Sequence, residues 1–221
     1  MLIGISAKKQ GGKTVASQVI QGHFPGRVDI KCFADPLKKI VLQCFVPHEL
    51  HYGLLDLIED KVKNEIMPCG KSIRELLQIV GTDWFRNTDP EVWVRAMDNS
   101  INQDILTVIP DVRFPNEVKF VQDRGGIVVR LLRSPYGNAD LHMSETALDS
   151  MTERTIKGDE IWYENEVRFD EVIDNRELTI SQDGRCLIEV LQQHNMDVSV
   201  NDIILKEIEE MYDGDDSITR T

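Results

Sequence analysis

The chain has 221 residues, 41% hydrophobic and 29% charged, which fits one ordinary domain with a sizeable core. Its formal net charge of −13 argues against nucleic-acid coating or anionic-membrane binding, since both need a basic surface to displace counterions. No apolar run reaches the roughly 18 residues that span a bilayer, and the start lacks the basic-then-apolar order of a secretion signal. Cys32, Cys44, Cys69 and Cys186 form no CxxC pair, so the chain reads as a cytoplasmic protein with scattered reduced thiols.

The first element, residues 1–6, is a short apolar strand that runs into "AKKQGGKT" and then into a helix through Val15, Val19 and Ile20. This is the strand, loop, helix order of a phosphate-binding P-loop, G-x-x-x-x-G-K-[ST], with Ala7 in place of the first glycine. Gly11 and Gly12 offer backbone N–H groups to phosphate, Lys13 a positive charge near the transferred group, and Thr14 a hydroxyl for Mg²⁺. A chance glycine beside a lysine is the competing explanation.

A second strand over 28–33 ends in "FADPLKK", where Pro36 opens a helix and Asp35 can cap it. Asp35 equally stands where a ligand-binding carboxylate sits in an open parallel sheet. Helical patterns follow across about 37–100. In "KSIRELLQIVGTDWFR", Ile73, Leu76, Leu77 and Val80 mark one buried face, Ser72 and Glu75 a capping box, and Gly81 the helix end. Thr82, Asp83, Trp84 and Arg86 are then expected in an exposed turn. Arg74 and Arg86 can grip a phosphate through their planar forks, and Trp84 or Trp93 can stack on a base.

Ile105–Ile109 reads as a buried parallel strand that stops at "PDVRFPNE", where Asp111 is placed to orient Mg²⁺ or its waters and Arg113 lies beside it. A helix over 114–123 leads to another buried strand, 125–133, flanked by Arg130 and Arg133. The polar stretch 134–157 reads as a lid, turn-rich at first and helical after Ser144. Ser144 serves as a helix cap there and His142 is left open. Strand–helix alternation gives an α/β fold, a mostly parallel sheet flanked by helices. At the C-terminus "RCLIEVLQQ" is a closing helix, and 197–221 an amphipathic helix with a polar tail. Ile203, Ile204, Ile208 and Met211 are expected to pack internally, a homodimer face being the alternative.

These segments together resemble the phage-type deoxynucleoside monophosphate kinases of the P-loop nucleoside monophosphate kinase group. The shared strings are the 7–14 loop, "FADPLK", "RELLQIVGTDWFR", "DVRFPNE", "HMSE" and "FDEVIDN", in that order over about residues 1–194. The resemblance implies a single P-loop kinase domain that moves the γ-phosphate of ATP, with Mg²⁺, to a deoxynucleoside monophosphate for viral DNA precursor supply in an infected cell. It assigns Gly11, Gly12, Lys13 and Thr14 to ATP, with Asp174 and Asn175 in an adenine-side loop. Asp35, Lys38, Arg74, Asp83, Trp84, Arg86 and Arg113 fall on the acceptor side, and Arg133 and His142 in the lid. Lys13, Asp35, Arg113 and Arg133 are the catalytic candidates, with Thr14 and Asp111 at the metal. Thr14 also departs from members that carry an acidic residue before the threonine. A dephospho-coenzyme A kinase or another small-molecule P-loop kinase is the runner-up, because "VIDN" suits those enzymes too. A non-catalytic nucleotide-binding protein with a degenerate P-loop is the rival from another class, and a GTPase-like switch lacks its NKxD motif.

Overall fold

Strand β1, Leu2–Ser6, is buried along its whole length, as its unbroken apolar run requires of a central parallel strand. It pairs in parallel with β3 (Leu106–Ile109) on one side, Ile3 opposite Val108, and with β4 (Ile127–Leu131) on the other, Ile5 opposite Val129. Strand β2 (Val28–Ile30) adds outside β3 and β7 (Glu171–Ile173) outside β4, giving a five-stranded, all-parallel sheet in the order β2-β3-β1-β4-β7. The structure is a computed structural model; it describes residues 1–8, 11–24, 26, 28–53, 57, 60–132, 147–148, 155–157, 160–162 and 168–212.

Helix α1 (Lys13–His23) covers one face of the sheet through Val15, Val19 and Ile20, which join Ile3, Ile5, Val129 and Leu131 in one core. Leu187, Ile188 and Leu191 of α7 (Ile180–Gln193) complete it. The other face carries α6 (Pro115–Asp123), packed on β1 and β4 through its buried Val118 and Val121. Two short strands, β5 (Thr155–Lys157) and β6 (Glu160–Trp162), pair antiparallel where no hairpin is expected from the sequence.

The last helix, α8 (Asp202–Tyr212), docks on α1 and α7 with Leu205 and Ile208 buried, so the internal-packing expectation holds for these residues. Ile203 and Met211 remain exposed. The Ser181 hydroxyl donates to Glu209 Oε2 at 2.5 Å and holds that carboxyl below its ordinary value of 4.5. A carboxyl depressed in the folded state contributes fully above its unfolded-state pKa, and that contribution is lost as pH falls through the folded value. The contact between α7 and α8 is therefore expected to weaken as pH drops below about 4.5. Glu209→Gln should flatten that part of the stability curve in urea unfolding from neutral pH down to about pH 3.

The chain divides into two units. The sheet unit comprises Met1–Lys31 and described residues from Asn102 onward; the helical unit comprises Cys32–Ile101. The helical unit contains α2 (Asp35–Phe45), α3 (Asp60–Lys63), α4 (Ile73–Gln78) and α5 (Val92–Asp98), with a π-helical stretch, Ile79–Arg86, running on from α4. The Ser72–Glu75 capping box forms at the start of α4. Gly81 does not end the helix, in contrast to the expected stop. The chain continues through it in π geometry, and the wider turn brings Thr82 and Arg86 to the inside with Val80. Gly81 serves close packing instead: a Cβ there would fall 2.5 Å from Leu37 Cδ2. No disulfide joins any of the four cysteines. Among the described residues no helix is long and apolar enough to cross a membrane.

Candidate active site

The loop after β1 ends at Gly12, the N-cap of α1, at φ 89° and ψ 8°. Glycine alone takes that left-handed conformation without steric cost, and it brings no side chain to cap the helix. The first N–H groups of α1 thus face an end where the helix dipole favours an anion. Lys13 Nζ turns back across the loop and donates to Ala7 O at 2.6 Å and Lys8 O at 2.9 Å, while the Gly11 N–H donates to Lys8 O at 3.0 Å. The Ser17 hydroxyl donates to Lys13 O at 2.9 Å. Thr14 is exposed in the first turn.

Ala7, the departure from the glycine pattern, is buried. A Cβ on Gly11 would lie 2.7 Å from Ala7 Cβ and 3.0 Å from Lys8 O, so the extra methyl fits because position 11 has none. Gly11→Ala is expected to cost about 1–3 kcal/mol through this overpacking. Ala7→Gly in the same chain should recover part of it, read as a coupling in a double-mutant cycle by urea unfolding. Equal, additive losses would contradict the pairing.

β3 lies beside β1, so Asp111 and Arg113, just past its C-terminal end, fall on the sheet edge next to the loop, with the Val112 N–H donating to Ile5 O at 3.3 Å. Both side chains are half-buried. What fixes this turn is Glu117, only 2% exposed, whose Oε2 accepts the N–H groups of Arg113 at 2.8 Å and Phe114 at 3.2 Å. The sequence alone assigns Glu117 no role; the signal that could have found it is Pro115 at the first helical turn with an acid two residues on, a helix-start signature. Arg130, buried on β4 opposite Ser6, donates from Nη1 to Ser6 Oγ at 2.8 Å, and its guanidinium lies 5.6 Å from the Phe169 ring centre.

Asn175, 1% exposed just beyond β7, donates from Nδ2 to Asp183 Oδ2 of α7 at 2.9 Å, and both atoms lie against Gly12. Neighbouring Asp174 is turned outward and paired with Arg176. The sheet unit thus brings together Gly11, Gly12, Lys13, Thr14 and Asn175 around the loop, with Asp111 and Arg113 on the adjoining strand end.

In the helical unit, α2 begins at Asp35 rather than after it. Asp35 is the first helical residue, Ala34 the N-cap, and the carboxylate closes the preceding turn by accepting the Cys32 N–H at 2.9 Å. Its other oxygen pairs with Lys38 Nζ at 3.1 Å. Arg74 donates to Asn64 Oδ1 at 3.2 Å and Arg86 to Pro90 O at 3.3 Å. Arg86 is buried, unlike the exposed turn residue expected, whereas Asp83 and Trp84 are exposed. Trp93 is a core residue whose indole N–H donates to Gly81 O at 3.0 Å, whereas the Trp84 ring is exposed. Arg133, His142 and Ser144, with most of the expected lid, lie outside the described residues. Among the described residues no three His, Cys, Asp or Glu side chains cluster as a metal site.

A five-stranded parallel sheet flanked by helices, with a glycine–lysine–threonine loop between its central strand and first helix, is the fold of an α/β P-loop kinase. A family model described as deoxynucleotide monophosphate kinase matches residues 52–175, more than half of the chain. A protein of Acanthamoeba polyphaga mimivirus that carries the deoxynucleotide monophosphate kinase name is 33% identical over 167 residues, covering 68% of this chain and 83% of its own length. The chain belongs to the deoxynucleotide monophosphate kinase family. The family match takes in Arg74, Asp83, Arg86, Asp111 and Arg113 and ends at Asn175; the phosphate loop precedes it.

Proposed function

We propose that the chain transfers the γ-phosphate of ATP to a deoxynucleoside 5′-monophosphate. The observation that carries this reading is Lys13, whose ammonium is drawn over the Ala7 and Lys8 carbonyls at the end of the central strand, where an incoming phosphate would compete with them for it. Gly11, Gly12, Lys13 and Thr14 bind the donor phosphates, with Asn175 beside them. Arg113, Arg74 and Arg86 neutralise and orient the acceptor, and Asp35, Lys38, Asp83 and Trp84 contribute to its binding. An acceptor phosphate is already ionised at neutral pH, so Asp35 is assigned a positioning role rather than that of a strong base.

The Thr14 hydroxyl and the Asp111 carboxylate are hard oxygen donors of the kind Mg²⁺ takes when phosphates and water supply its other ligands. The ion would supply charge neutralisation between the donor phosphates. The protein's remaining contribution is alignment of the two phosphates and exclusion of water, which favours transfer over hydrolysis. The viral relative supports a place in DNA precursor supply in an infected cell, which would put the enzyme in the host cytoplasm.

The test is ADP release from ATP and Mg²⁺ with a panel of deoxynucleoside monophosphates and dephospho-coenzyme A. ADP formation that requires a deoxynucleoside monophosphate supports the reading. A rate unchanged by any acceptor, or one raised by dephospho-coenzyme A alone, overturns it.

A further inference from the structure

Asp183 is a carboxylate on the first turn of α7, 9% exposed, and it belongs to none of the sequence strings that mark the site. Its Oδ2 accepts from Asn175 Nδ2 at 2.9 Å, and the two side chains lie against one face of Gly12. A Cβ built on Gly12 would stand 3.4 Å from Asn175 Nδ2 and 3.6 Å from Asp183 Oδ2. A Cβ at those distances would make ordinary van der Waals contact, so the pair forms a wall beside Gly12, whose φ is 89°, without crowding it.

An ionised carboxylate only accepts, so Asp183 fixes which end of the Asn175 amide faces it. The nitrogen points to Asp183, and Asn175 Oδ1 is left buried with no hydrogen-bond partner among the described residues. A buried acceptor without a donor is costly, so Asn175 alone would gain by rotating toward water. A hydrogen bond to a charged acceptor is strong enough to oppose that tendency, and the N-terminal turn of α7 favours a negative charge at Asp183. The arrangement gives Asp183 a task that packing does not supply, which is to keep the Asn175 amide in place beside Gly12.

We infer that Asp183 is a positioning residue for the phosphate loop: by fixing the Asn175 amide it sets the wall beside Gly12, the left-handed residue from which the N–H groups of the loop and of α1 are aimed at the donor phosphates. The inference rests on the proposed use of this loop for ATP, and it assigns Asn175 a supporting contact with the loop.

The test compares Asp183→Ala, Asp183→Asn and the exchange Asn175→Asp with Asp183→Asn, each in the full chain. Two readouts are needed: amide hydrogen exchange of residues 11–14 without ligand, and the dissociation constant for ATP beside KM for the acceptor. Asp183→Ala is expected to speed loop exchange and weaken ATP binding by roughly tenfold each, the loss of one charge-assisted hydrogen bond, with acceptor KM unmoved. Asp183→Asn, which can still accept through its amide oxygen, should lose less. The exchange variant restores a carboxylate–amide pair in reverse and should return loop exchange to within about threefold of the unmodified chain. Loop exchange and ATP affinity unchanged in Asp183→Ala, with only a lower melting temperature, would reduce Asp183 to a structural residue and overturn the inference. So would an exchange variant whose loop exchange is no slower than that of Asp183→Ala. If the unmodified chain does not bind ATP, the proposed function fails, while loop exchange alone still decides the positioning role.

Discussion

Lys13→Ala is expected to lower kcat/KM for acceptor-dependent phosphoryl transfer by about a hundred- to a thousandfold, the usual loss when one charge-stabilising donor leaves a preorganised site. The ammonium bonds two backbone carbonyls of its own loop, and the proposed activity has it exchange them for phosphate oxygens. Since Lys13 lies on the half-buried first turn of α1, outside the apolar core, urea unfolding of the variant should stay close to that of the unmodified chain. A variant that keeps most of its activity would remove Lys13 from the chemistry. A variant that unfolds would show that the lysine mainly holds the loop together.

The largest stability effect is expected in the strand that carries this loop. Ile5 is fully buried on β1, between β3 and β4 and under α1, and Ile5→Ala should cost about 2–5 kcal/mol because it removes apolar surface and leaves a cavity in a close-packed core. Ile203, 69% exposed on α8, provides the contrast: Ile203→Ala should change stability by no more than about 0.5 kcal/mol. Urea midpoints of the two variants at equal slope would test both. An Ile203 effect as large as that of Ile5 would mean the exposed face of α8 is covered in solution.

The same contrast explains what the sequence revealed. β1, β3 and β4 were readable because strands buried on both faces are continuous apolar runs, and two of them are followed by the polar strings that pointed to a site: "AKKQGGKT" after β1 and "DVRFPNE" after β3. The Ser72–Glu75 capping box was equally local, two side chains three residues apart. Gly81 misled because a glycine after an apolar helical face usually signals a stop, and only its approach to Leu37, more than forty residues earlier, shows that it is a packing position. The π-helical register that buries Arg86 has no local signature in "GTDWFR". Asp183 was invisible for a related reason. Its partner Asn175 sits at the end of β7, and both meet Gly12 only because the sheet order brings β7 and α7 to the same edge as the loop.

Incubation with γ-labelled ATP, Mg²⁺ and each deoxynucleoside monophosphate in turn, with the products separated, is the most direct test of the proposed activity. The label is expected in a deoxynucleoside diphosphate, only when the matching monophosphate is present, and it should disappear with Lys13→Ala. Label appearing solely as inorganic phosphate, whatever acceptor is supplied, would contradict the account.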